Sequence, residues 1–305
     1  MTRPGILNFN KPTGMTSFDV VRIVRRGTGE KRVGHAGTLD PLATGVLLVL
    51  LGQAARITEY LMDLPKTYRA TVRLGQTTDT YDAEGRVTND RPVAVTEDEF
   101  RSIANEFLGE TQQRPPAYSA LKVGGQPAYK AARRGEEVDL APRAVTVHRI
   151  DVTSFAAPFA EIEVECSRGT YIRTIAHDIG ERLGCGAHLA GLVRTRIGPF
   201  SIDDATTDGE LTEAFAAGDW PDLLQPIDLG LMTLPALTAR MSLEQDLRHG
   251  QPIVLDEEAA RPLPSPTDGA EARAYAEDGS LIGIIRYDGE GAMWRPRKIL
   301  SPERD

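Results

Sequence analysis

Long apolar runs are missing from this 305-residue chain. No stretch approaches the roughly 18 apolar residues that would span a bilayer as a helix, and the residues after Met1 lead into no signal-like segment. Cysteine is scarce: Cys166 and Cys185 are the only two, which is neither a disulfide framework nor a zinc pattern. The five histidines (His35, His148, His177, His188 and His249) include no i,i+4 pair and no cysteine at ligand spacing. No metal site is therefore expected. Phosphate-cradling glycine loops are absent too. There is no Gly-x-x-x-x-Gly-Lys-Ser/Thr and no strand-borne Gly-x-Gly-x-x-Gly, which removes the common nucleotide-dependent classes. What remains is an ordinary globular composition, 41% hydrophobic and 26% charged, with room for one large domain or two smaller ones. The expectation is a cytoplasmic protein that uses no membrane.

Positive charge is in deficit, with a formal net charge of −9, which at first argues against a nucleic-acid partner. The deficit is local. Residues 201–305 hold 9 Lys/Arg against 21 Asp/Glu, whereas residues 1–60 hold 8 against 4 and residues 111–200 hold 12 against 9. Binding to phosphates depends on local neutralisation, so the first two thirds can still carry an RNA surface. Arg22, Arg25, Arg26, Lys31 and Arg32 form the first basic patch.

The periodicity gives separate strand and helix runs, hence an α+β fold with a mixed, mainly antiparallel sheet flanked by helices. Strands are expected over 6–10, 46–51, 68–74, 145–153 and 159–166. Helices are expected over 19–26, capped by Thr16 or Ser17, over 54–61, over 97–108, capped by Thr96 with Glu99, over 126–135 and over 174–183. Residues 76–86 and 112–118 read as loops. Near 200–235 the composition turns acidic and Pro221, Pro226 and Pro235 interrupt it. This suggests one domain over 1–230 and a small β-rich one over 231–305, with a hairpin at 272–287 and a mobile loop over 257–271.

The most informative stretch is Gly34-His35-Ala36-Gly37-Thr38-Leu39-Asp40-Pro41-Leu42-Ala43-Thr44-Gly45. Pro41 biases Asp40 toward extended backbone, and a continuous apolar run follows, so Asp40 belongs on a turn abutting a buried strand. Such an acid is either a catalytic candidate or an Asp-Pro turn residue capping a backbone amide.

This stretch resembles the catalytic motif of the TruB type of pseudouridine synthase, the bacterial tRNA pseudouridine-55 synthases. Further matches follow in order: Lys11-Pro12-Thr13-Gly14-Met15-Thr16-Ser17, Tyr68-Arg69-Ala70, Leu74-Gly75-Gln76-Thr77-Thr78-Asp79-Thr80, Tyr118-Ser119-Ala120-Leu121-Lys122, Cys166-Ser167-Arg168-Gly169-Thr170-Tyr171-Ile172-Arg173-Thr174 and Leu183-Gly184-Cys185-Gly186-Ala187-His188-Leu189. His249–Ile253 and Trp294–Ile299 resemble a PUA-type RNA-binding module. The resemblance implies a pseudouridine-synthase fold acting on a uridine in the TΨC loop of tRNA, as a monomer, with no cofactor and no protein partner. It makes Asp40 the nucleophile, Arg173 its partner and Tyr68 the residue stacked on the base. It also puts Leu192 in the uracil pocket and makes His35 a wedge replacing the flipped nucleotide. Tyr171, two residues before Arg173, would point to the same side if the segment is extended. Asp79 and Asp82 can help orient the uracil, with acidic-loop solvation the account of at least one. Two alternatives stand beside this: a synthase for another RNA, such as an H/ACA-type subunit, and a non-catalytic tRNA-binding or tRNA-folding protein.

Overall fold

The computed structural model describes residues 4–118, 140–256 and 263–300, and of 119–139 only 122–123, 126–128, 131, 134 and 136. Its first strand, β1 (Gly5–Lys11), leads through a turn into α1 (Ser17–Thr28). Thr16 caps that helix in a capping box with Asp19, and Gly29 ends it in the left-handed region. Then come β2 (Val33–His35), β3 (Thr44–Leu51), α2 (Thr58–Asp63), β4 (Lys66–Leu74), β5 (Gln76–Thr78) and β6 (Val87–Asp90). α3 (Glu97–Asn105) is capped by Thr96 and Glu99, as the sequence suggested. β7 (Gly109–Gln113), β8 (Lys122–Val123), β9 (Gln126–Pro127), β10 (Arg143–Ala156) and β11 (Phe159–Cys166) precede α4 (Ile172–Arg182). β12 (Ala187–Ile197), β13 (Phe200–Ser201), α5 (Asp208–Ala217) and β14 (Leu224–Gln225) follow. The C-terminal part adds β15 (Ala236–Thr238), α6 (Met241–Arg248), β16 (Glu271–Tyr275), β17 (Leu281–Asp288) and β18 (Met293–Ile299).

Ten strands form one sheet with the path β14-β1-β3-β12-β4-β11-β10-β7, β2 and β13 lying off it. Every pairing is antiparallel except β3 with β12, which run parallel only at Val193↔Thr44 and Arg194↔Gly45. The main core lies on one face, where Val20, Val24, Leu47, Val72, Ile162, Ile175 and Ile179 are buried together. A second cluster on the other side joins Leu48, Leu50, Leu61 and Phe200 to Ile284 of β17. The C-terminal four-stranded sheet, β15-β16-β17-β18, therefore packs on the large sheet. Tyr60 donates to Glu271 at 2.8 Å and Lys298 meets Glu59 at 2.7 Å across that contact.

Several local expectations need correction. Residues 76–86 are not all loop, because β5 pairs with β6 as a short ribbon. The helix expected over 54–61 is a 3-10 turn, Gly52–Ile57, followed by α2. β12 and α5 were not anticipated. Gly191 and the arginines of β12 hide its alternation. Half of the helix expected over 126–135 lies outside the described residues; of the rest, Gln126–Pro127 form β9, while Ala128 and Ala131 are helical. Part of the expected loop at 257–271 is also outside them.

Candidate active site

Asp40 sits on the turn between β2 and β3, four residues before Thr44, where β3 begins its parallel pairing with β12. Three long-range anchors fix this turn. The Ser17 hydroxyl accepts from Leu39 N–H at 2.9 Å. The buried Lys11 ammonium donates to the carbonyls of Met15 (2.7 Å), Pro12 (2.9 Å) and Pro41 (3.4 Å). Burial pulls the Lys11 pKa down to about 8, while the three carbonyls favour its charged form. From β12, the buried Arg194 guanidinium donates to Val46 O at 2.7 Å and Gly37 O at 3.1 Å. Gly45 lets this strand approach closely: with φ +96° it is left-handed, and a Cβ there would lie 2.3 Å from the Arg194 carbonyl oxygen.

Arg173 meets Asp40 from the facing helix. It lies in the first turn of α4, with Tyr171 as the N-cap. The expectation of an extended Tyr171–Arg173 segment is thus corrected, yet the two side chains stay together, the guanidinium 5.8 Å from the Tyr171 ring centre. Arg173 Nη2 lies 3.3 Å from Asp40 Oδ2 and donates to Tyr118 O at 2.7 Å, while Nη1 donates to Asp82 Oδ2 at 3.1 Å. Asp82 is buried and its other oxygen accepts from Thr80 Oγ1 at 2.5 Å and Glu84 N–H at 3.1 Å. Asp79, by contrast, pairs with exposed Arg86. The Asp40 side chain keeps 43% of its surface, against 7% for Arg173.

Asp40, Tyr68, Tyr171, Arg173, Leu192 and Arg194 line one cavity of ≈ 320 Å³, in which Asp40 is the sole carboxylate among the described lining residues. Tyr68 comes from β4, directly opposite Arg194 in the ladder. Burial raises the Tyr68 pKa, so the phenol stays protonated. Burial also raises the Asp40 pKa, and the nearby Asp82 charge adds to this; Arg173 and Lys11 oppose it. Among the expected site residues, His35 and Asp82 lie outside the cavity lining. His35 ends β2, partly exposed, with its pKa lowered by burial and by Arg194. Arg194 and Lys11 were not singled out from the sequence. Each is held by backbone carbonyls, and no nearby residue type signals such partners. No group of three or more His, Cys, Asp or Glu among the described residues is placed to hold a metal.

An aspartate held by an arginine thus sits in a tyrosine-walled cleft on one mainly antiparallel sheet, and comparisons with known proteins place this fold among the pseudouridine synthases. Residues 25–172 match the TruB family pseudouridylate synthase N-terminal domain and residues 173–232 the tRNA pseudouridylate synthase B C-terminal domain. The chain belongs to the TruB family of pseudouridylate synthases. It is 42% identical over 295 residues to the tRNA pseudouridine synthase B of Dechloromonas aromatica, covering 97% of this chain and 95% of that one. With the protein of the same name from Dehalococcoides mccartyi it shares 41% over 310 residues, 99% of each chain. Among solved structures, a chain of a Cbf5-Nop10-Gar1 complex superposes with a TM-score of 0.71 at 26% identity, covering 93% of this chain and 78% of that one. A chain of an H/ACA RNP bound to a substrate RNA gives 0.74 at 24% identity, covering 98% and 85%, a likeness of fold.

Proposed function

We propose that this protein isomerises a uridine of tRNA to pseudouridine, at position 55 in the TΨC loop. The single observation that carries the reading is the lone cavity carboxylate, Asp40, paired with a buried Arg173. The reaction breaks a C–N glycosidic bond, turns the uracil and rejoins it through carbon. It needs a nucleophile, a held base and exclusion of water. Asp40 is the nucleophile. In this partly desolvated cleft its carboxyl resists ionisation, and the Arg173 guanidinium offsets that by favouring the charged form. Tyr68 and Tyr171 hold the flipped base by its faces and Leu192 completes the apolar wall. Asp82 holds Arg173. His35, at the rim of the turn, takes the place of the extruded nucleotide in the RNA stack.

Residues 1–230 form the catalytic domain and residues 231–305 a PUA-like module that grips the RNA. The protein works as a cytoplasmic monomer on the T stem-loop, without cofactor or protein partner. Relatives named tRNA pseudouridine synthase B over nearly the whole chain support a tRNA substrate. The test is incubation of the full chain with an unmodified tRNA transcript, followed by carbodiimide mapping of pseudouridine. Modification of one T-loop uridine is expected. Tight tRNA binding without any pseudouridine would overturn the reading, as would modification confined to another RNA.

A further inference from the structure

Gln113 is the last residue of β7 and is 5% exposed. Among the described residues, its side chain makes both of its hydrogen bonds to the main chain of one distant residue. Nε2 donates to Tyr171 O at 3.0 Å, and Oε1 accepts from Tyr171 N–H at 2.8 Å. A side-chain amide thus pairs with a main-chain residue as a strand neighbour would.

Tyr171 stands at a helix start. It is the N-cap of α4, makes no side-chain cap hydrogen bond, and has extended backbone (φ −98°, ψ 107°). Its carbonyl already accepts from Thr174 N–H and Ile175 N–H, each at 3.2 Å. The helix and Gln113 therefore share the Tyr171 carbonyl, and Gln113 also takes the Tyr171 N–H, which fixes where the Tyr171 ring enters the cavity.

The position of Gln113 in the chain adds a second link. It pairs in the ladder with Arg143, which also lines the cavity. Five residues further on, Tyr118 O accepts from Arg173. The chain that departs at Gln113 thus touches the site at Tyr171, at Arg173 and at the point where it rejoins the sheet.

We propose that Gln113 is a positioning residue for the isomerisation, setting Tyr171 in the base pocket through two main-chain hydrogen bonds. The proposal rests on the synthase reading above. It predicts that replacements fail in a graded way. Glutamate keeps the acceptor and loses the donor, while alanine loses both.

The experiment measures single-turnover pseudouridine formation at saturating tRNA, together with tRNA affinity, for Gln113→Ala and Gln113→Glu. Displacement of a binding group by about 1 Å can cost about a hundredfold in rate, and that is the loss expected for Gln113→Ala. Loss of one hydrogen bond predicts about a tenfold loss for Gln113→Glu. Affinity should stay within about twofold, since phosphate contacts dominate it. In a Tyr171→Ala background the further loss from Gln113→Ala should shrink below about threefold, because residues acting through one another are not additive. An undiminished loss in that background, or a loss confined to affinity, would overturn the proposal.

A readout independent of turnover accompanies these rates. In protein labelled with 15N-tyrosine, the Tyr171 amide should exchange slowly in the native chain and rapidly in Gln113→Ala. A native chain that makes no pseudouridine would sink the synthase reading, and the exchange rates would still decide the clamp. Unchanged exchange in both variants would contradict it.

Discussion

Two turns meet at one guanidinium, and they treat their carboxylates in opposite ways. At 79–85 the Asp82 carboxyl is buried and fully engaged, by Arg173, by the Thr80 hydroxyl and by the Glu84 amide. At 37–43 the turn itself is held by Ser17, Lys11 and Arg194 through its backbone, while among the described residues the Asp40 carboxyl meets only Arg173, and it keeps 43% of its surface. The first turn uses its acid to hold a cation. The second has its backbone held so that its acid stays open. Similar residues, an aspartate on a loop, thereby serve as tether and, in the proposed mechanism, as reactive group, and the difference lies in which atoms the fold has already occupied.

Removing the shared cation breaks both halves at once. Arg173→Met leaves Asp82 buried with no counter-ion, which costs about 3–5 kcal/mol of stability. Urea unfolding at neutral pH should show it as a large fall in midpoint, with turnover lost as well. A variant as stable as the native chain would mean that the pair contributes nothing to the fold.

At the rim of the Asp40 turn the expected effects are smaller. Burial and the Arg194 charge lower the His35 pKa and so disfavour the charged ring, and the proposed wedge would act through shape and stacking. Base–aromatic stacking is worth about 1–3 kcal/mol. His35→Ala should therefore weaken tRNA binding by about fivefold to a hundredfold by that measure, and His35→Phe should lie closer to the native protein. Equal collapse of turnover in both variants would favour proton transfer by the imidazole.

The mildest test sharpens the link between the two acids. Burial and the Asp82 charge both raise the Asp40 pKa, so activity should fall as pH drops through a value above the ordinary carboxylate range. Asp82→Asn removes one raising influence. The acid limb of the single-turnover profile should then move to lower pH. A limb that stays in place would show that the two carboxylates do not sense each other.

The parts legible in the sequence are those with local chemistry. Thr16 with Asp19 and Thr96 with Glu99 are capping boxes whose residues sit three apart. The turn at Asp40 follows from Pro41 and its glycines, and β3 from its apolar run. Asp40, Tyr68 and Arg173 could be named because each lies in a motif. What stayed hidden is what distant partners create. Arg194 looks like a surface arginine of an amphipathic strand, yet its acceptors are backbone carbonyls about 150 positions earlier. Gln113 has its partner 58 positions away. The Tyr171–Arg173 pair reads as extended from alternation alone, yet the helix begins at Ile172; Gln113 holds the Tyr171 main chain, and Asp82 and the Tyr118 carbonyl hold the Arg173 guanidinium at the cavity.

The central claim, that the open carboxylate is the reactive one, is tested most directly by Asp40→Asn. Single-turnover pseudouridine formation and tRNA affinity are measured on the same preparation. Turnover should drop by more than about a thousandfold, as for covalent catalysts that lose their nucleophile, with affinity and unfolding midpoint close to native. Product formed at more than about a thousandth of the native rate by a folded, tRNA-binding Asp40→Asn protein would contradict the account.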